Sequence, residues 1–103
     1  MIAEAIPVAV LTGALMRAKQ RQLSLEGLLV MLTLEKQELI PAMRLSALKK
    51  SLSFQHERIT DVLFALQVNG YAIRARLAPD RRKTTVMLTR RGALILNEIL
   101  NSL

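Results

Sequence analysis

The chain has 103 residues, enough for one domain with a single modest core and too few for two. Its 15 Lys and Arg outnumber 8 Asp and Glu to give a formal net charge of +7, which repels cationic partners and favours polyanions such as nucleic acid or an anionic membrane face. There is no cysteine, so disulfides, thiolate chemistry and Cys-based zinc sites are excluded, and a reducing cytoplasm is permitted.

The first sixteen residues are mostly apolar, but Glu4 and Pro7 interrupt them. The run falls short of the roughly 20 residues that a membrane span requires, and it lacks the basic start of a secretory signal. The expectation is a helix from about Ile6 to Gln20, buried or facing a partner, with Pro7 in its first turn and Arg17, Lys19 and Arg21 at its C-terminal end. Ser24 suits the N-cap of a second helix, with Leu25, Leu28, Leu29, Leu32 and, at its far end, Leu39 as the apolar stripe and Gly27 as a local weakness. Pro41 opens a third segment in which Leu45 and Leu48 face inward and Arg44, Lys49 and Lys50 are left for solvent or phosphate. Ser53 or Gln55 begins the next helix. Ile59, Val62, Leu63 and Leu66 recur there at helical spacing, and Asn69-Gly70 supplies a left-handed stop.

Tyr71, Ile73, Ala75 and Leu77 then alternate with Ala72, Arg74 and Arg76, predicting a strand with one apolar and one basic face. Pro79-Asp80 turns it back. A second strand alternates Val86 and Leu88 with Thr85, Met87 and Thr89, and Thr89 is an N-cap for a final helix over about 90–102. No repeat, low-complexity tract or linker interrupts this order. The predicted fold is α+β, mainly α: one winged helix-turn-helix domain over 1–103, with the helix-turn-helix at 41–69 and a hairpin wing at 71–88 in the C-terminal half.

The pair Asp80 and Arg82, followed by a strand and then Leu88-Thr89-Arg90-Arg91-Gly92, resembles the wing of the multiple-antibiotic-resistance regulator (MarR) family. The stretch from Leu45 to Tyr71 is similar to that family's two-helix reader, with Leu48, Leu52, Ile59, Leu66, Gly70 and Tyr71 at its apolar and turn positions. The resemblance covers roughly Leu25 to Leu100 and implies a dimeric, double-stranded-DNA-binding transcriptional regulator, with repression as the leading role. Two departures stand out: the terminal helices are short for the family, and Ser53-Phe54-Gln55 replaces its common Gly-Leu-Ser turn. With shortened helices, a small-molecule effector is not expected.

Once the apolar stripe of the reading helix turns inward, Gln55, His56, Thr60 and Asp61 face outward, with Glu57 and Arg58 near the edge. Gln can bond adenine bidentately, His and Arg donate to guanine, and acids accept from cytosine, so this face has the chemistry to specify sequence. Asp61 has an alternative role as an intrahelical partner of Arg58. His56 is a surface residue or a DNA contact. A metal site is not expected there, because Glu57 and Asp61 are the only nearby ligand types. Arg81 and Arg82 at the hairpin tip suit a narrow minor groove, while Arg74, Arg76, Lys83, Lys49 and Lys50 suit backbone phosphates. Four to six such contacts imply a log-log salt slope of roughly −4 to −5. For Arg90 and Arg91 a structural role competes equally with DNA contact.

Phe54, Phe64 and Tyr71 are too few for a single-strand stacking platform. One His, no Cys and no Gly-rich phosphate loop give no support for an enzyme, and no cofactor is implied. The first helix, with Ala93, Leu94, Leu96, Ile99, Leu100 and Leu103, is expected to form a two-fold homodimer interface, since one reader spans too few base pairs. The expected location is the cytoplasm, at the nucleoid. Competing readings are an accessory protein marking a plasmid or phage DNA site for replication, transfer or partition, a winged-helix protein-interaction module, and a basic face that is merely solvated.

Overall fold

The structure, a computed structural model, describes residues 8–37, 40–52, 56–76 and 84–100, with the side chains of residues 56 and 57 left aside. Element order is α1 (Val8–Gln20), α2 (Leu25–Glu35), β1 (Ala42–Arg44), α3 (Leu45–Leu52), α4 (His56–Val68), β2 (Ala72–Arg76), β3 (Thr84–Leu88) and α5 (Arg90–Leu100). The sheet is antiparallel in the order β1-β3-β2. This is a winged helix, and the predicted α+β class holds.

Local signals fix several boundaries. The Ser24 side chain accepts the Gly27 N–H at 3.0 Å from an extended backbone, so α2 starts where a capping hydroxyl removes one orphan donor. At the far end of α4, Gly70 takes φ +77°, which lets its N–H reach the Gln67 carbonyl at 3.0 Å and the Tyr71 N–H reach the Leu66 carbonyl at 2.8 Å. Those two bonds close the helix in a Schellman arrangement. Ile59, Val62, Leu63 and Leu66 face the core as their spacing predicts, joined by Leu48 from α3 and Val86 and Leu88 from β3.

Other expectations are corrected. In α2 the buried side is Gly27, Leu28, Val30, Met31 and Leu34, whereas Leu25 and Leu29 are exposed. A helix whose only polar residues are Glu26, Thr33 and Glu35 offers no clear apolar stripe, so its neighbours choose the face. Gly27 is a packing site rather than a weakness: an added Cβ would lie 3.4 Å from Leu66 Cδ2 and 3.3 Å from Ser24 Oγ. Pro41 leads into strand β1 before α3 begins, with Ala42, Met43 and Arg44 opposite Met87, Val86 and Thr85. Three residues are too short to show alternation, and the strand exists because β3 offers it a ladder. In α5, Leu96 and Ile99 are only 1% exposed, so these two belong to the subunit's own core and not to a dimer interface. Ile6, Leu39, Leu77, Pro79 and Leu103 lie outside the described residues.

The predicted wing strand has its two rows, and the register shows which of them faces the helices. Directly opposed residues in an antiparallel pair point to the same side of a sheet. Ala72 opposes Leu88, Arg74 opposes Val86 and Arg76 opposes Thr84. Because Val86 and Leu88 are buried, the row Ala72, Arg74, Arg76 lies on the helix-facing side. Ile73, 47% exposed, and Ala75 lie on the outer side with Arg44. Alternation correctly separates two rows, but the basic row is the one that continues from the core.

One junction holds the reader, the wing and α5 together. The Thr89 hydroxyl donates to the Gly70 carbonyl at 2.6 Å and accepts the Gly92 N–H at 2.9 Å, while the Thr89 N–H donates to the Tyr71 carbonyl at 3.1 Å. Gly92 has to lack a side chain: a Cβ there would drive into the Tyr71 carbonyl oxygen and come within 2.8 Å of Leu88 Cδ1. Gly92→Ala is expected to lower stability by about 3 kcal/mol, because backbone rather than a flexible side chain must move. Urea unfolding followed by circular dichroism checks this, and an unchanged midpoint would disprove the packing role.

Candidate nucleic-acid interface

The interface is built on α4, whose inward stripe leaves Thr60, Asp61, Phe64, Gln67 and Val68 exposed. Residues three and four apart on a helix are surface neighbours, so Thr60, Phe64 and Gln67 form one continuous row. Gln67 ends that row against the wing, where its Oε1 accepts Arg74 Nε at 2.7 Å. Leu45, Gln67, Arg74, Arg76 and Thr84 line a cleft of about 310 Å³. Arg74 and Arg76 enter it because their strand row faces the helices, and by that point the hairpin has passed the apolar core.

Thr60, Arg74 and Arg76 are therefore brought to one side of the molecule. Lys50 is exposed on α3 and Lys49 is half-buried beside it. Asp61 flanks Phe64 on the side away from Thr60, as their order around the helix requires. Arg58 turns toward α2, where Nη2 and Nε donate to the Glu26 carboxylate at 2.8 and 3.2 Å. The intrahelical Arg58–Asp61 pair considered from the sequence is thus replaced by an interhelical one. Gln55, Arg81, Arg82, Lys83 and the side chain of His56 lie outside the described residues, so the geometry of the groove-tip contacts is not part of this arrangement.

Arg91 has a structural role. Its Nε donates to the Asn69 carbonyl at 3.0 Å, and its guanidinium lies 5.4 Å from the centre of the Tyr71 ring. The Tyr71 hydroxyl in turn donates to the Arg21 carbonyl at 2.9 Å, and Arg21 pairs with Glu98 at 2.5 Å. Tyr71 is a core residue, whereas Phe64 is 63% exposed. The sequence reading weighed Phe64 only as a stacking residue and left it and Gln67 out of the outward row of α4. Laying α4 on a wheel against its apolar stripe would have put both on the Thr60 side.

No family model matches the chain, and no curated protein matches it. Solved structures do. The YusO protein of Bacillus subtilis superposes with a TM-score of 0.77 at 18% identity over 91% of this chain and 64% of its own. The transcriptional repressor CouR, bound to a 23-mer DNA duplex, gives a TM-score of 0.74 at 23% identity over 92% of this chain and 65% of its own. AbsC, a MarR family transcriptional regulator from Streptomyces coelicolor, gives 0.75 at 16% identity over 90% of this chain and 62% of its own. The chain spans less than two-thirds of the length of each of these three. What they establish is the fold: this chain has the winged-helix architecture of the MarR-type regulators.

The Arg58 guanidinium holds the Glu26 carboxyl below its usual range, chiefly through their hydrogen bond. A lowered carboxyl pKa adds stability above the unfolded-state value and loses it as pH falls through the folded-state value. Glu26→Gln is therefore expected to shift the urea midpoint slightly downward at pH 7, and the two proteins should converge as acid protonates the Glu26 carboxylate. The contribution is small because the pair is exposed. A difference that persists at the acid end would show that Glu26 acts by packing instead.

Proposed function

We propose that this chain is a sequence-specific double-stranded-DNA-binding protein that acts as a homodimer, as a transcriptional repressor on the nucleoid. The observation that carries this reading is the basic row of β2 set beside the outer row of α4, with Arg74 tied to Gln67 at 2.7 Å. A helix of this kind in the major groove reads base edges, and cations at its flank neutralise the phosphates that line the same groove. CouR, similar in fold, is a repressor bound to a duplex, which supports the same use of this architecture.

In this reading Gln55, His56, Thr60 and Asp61 address bases. Lys49, Lys50, Arg74 and Arg76 hold the backbone, and Arg81, Arg82 and Lys83 extend the grip at the wing tip. Arg58 stands behind them, orienting α4 through Glu26. Dimerisation would use the outer side of α1, where Val8, Leu11, Leu15 and Met16 are exposed, together with Ala93 and Leu94 of α5. Exposed apolar side chains in such a row favour a covering partner, and a second copy doubles the base pairs read. No helix among the described residues is long and apolar enough to cross a membrane.

Selection of bound duplexes from a random pool, followed by titration in excess unrelated DNA, tests the activity. Enrichment of a defined site supports it, and equal affinity for every duplex reduces it to charge adhesion. On the enriched site Arg76→Ala should weaken binding and lower the magnitude of the log-log salt slope by about 1. An unchanged slope would remove Arg76 from the phosphate set. Sedimentation at tens of micromolar is expected to show a dimer that Leu15→Glu converts to monomer, and a monomeric wild type would refute the two-fold arrangement.

A further inference from the structure

Phe64 is a large aromatic side chain left 63% exposed in the middle of the helix that carries the reading face. Core packing does not explain it, since Ile59, Val62, Leu63 and Leu66 supply the inward side of α4. Its surroundings are specific. Thr60 precedes it by one turn on the same row, Gln67 follows it, and Gln67 is bonded to Arg74 at the edge of the basic cleft. The phenyl ring therefore stands between a hydroxyl-and-methyl side chain and the wing cations. A duplex seated on those cations would bring its groove floor against it.

Base edges in the major groove are polar except for one group, the C5 methyl of thymine, which apolar side chains contact. We propose that Phe64, with the Thr60 methyl beside it, reads thymine through its C5 methyl, making Phe64 a specificity-determining residue. The inference rests on the DNA-binding reading above and adds the base it selects. An acidic neighbour strengthens the choice: Asp61 flanks the ring and disfavours a phosphate at that position, so a base edge rather than backbone is the occupant.

Replacing thymine by deoxyuridine deletes the methyl and leaves every hydrogen-bonding group in place, which isolates the contact. On a duplex enriched by selection, single thymine-to-deoxyuridine changes are expected to weaken wild-type binding about fourfold at one position per half-site, the value of one buried methyl group. Phe64→Ala should bind the thymine duplex more weakly and lose the response to deoxyuridine at that position, while its thermal unfolding stays close to wild type because the side chain is exposed. Arg76→Ala should weaken binding yet keep the fourfold response. If wild type ignores deoxyuridine at every position, or Phe64→Ala keeps the response, the thymine assignment is wrong although DNA binding stands. If no duplex is enriched at all, the parent reading fails and takes this one with it.

Discussion

A single threonine side chain joins the three parts on which the interface depends. Thr89 donates to Gly70, which ends the reading helix, and accepts from Gly92, which starts α5, while its backbone holds Tyr71 at the root of the wing. Each of these lies at the end of a helix or strand, where backbone groups lack partners within the element. Satisfying two of them through the Thr89 hydroxyl and the third through its N–H fixes the angle at which the hairpin leaves α4. Gly92 makes the arrangement possible, because the Tyr71 carbonyl lies where any other residue would place its Cβ. The Leu-Thr-x-x-Gly pattern is thus a packing requirement written in sequence.

The exit angle decides where charge lands. From the junction, β2 begins with Ala72 against the core and continues with Arg74 and Arg76 on the same side. The period-2 repeat carries the row from apolar to cationic as the hairpin clears the helices. Had the strand left by one residue's difference in register, Ile73 and Ala75 would line the cleft and both arginines would face away from α4. Arg74 bonded to Gln67 then pins strand to helix at the cleft's edge.

Features that act over a few residues were legible. Ser24 and Thr89 cap helices, Gly70 stops one, and the stripe from Ile59 to Leu66 faces the core, because each depends on local backbone chemistry or strict periodicity. What could not be read depends on neighbours. The largely apolar α2 carries little mark of its buried side, β1 is a ladder offered by β3, and which row of β2 faces inward is open until Val86 and Leu88 say which side is inside. Leu96 and Ile99 are claimed by the subunit's own core, which a sequence suggesting an interface could not reveal. At the candidate site, Arg74 and Arg76 line one cleft with Gln67, a residue the sequence reading did not name. The Glu26 partner of Arg58 was not legible, since it lies 32 residues away on another helix.

That partner changes the electrical character of the reading helix. Arg58 is the one Lys or Arg in α4, and Glu26 neutralises it, while Asp61 stays exposed on the outward side. The helix therefore contributes no net attraction for a polyanion among its described side chains, and attraction falls to β2 and α3. Long-range charge is poor at distinguishing one duplex from another, because every duplex presents the same phosphates. Under the proposed function, cations on the flanks and neutral side chains on the row from Thr60 to Gln67 would separate grip from choice. Phe64, exposed and outside the bonds that tie α4 to α2 and β2, is a position where the residue can change without loss to the core or to those bonds. In the proposed reading, a substitution there would redirect which duplex is preferred while the hold on DNA as a class is preserved.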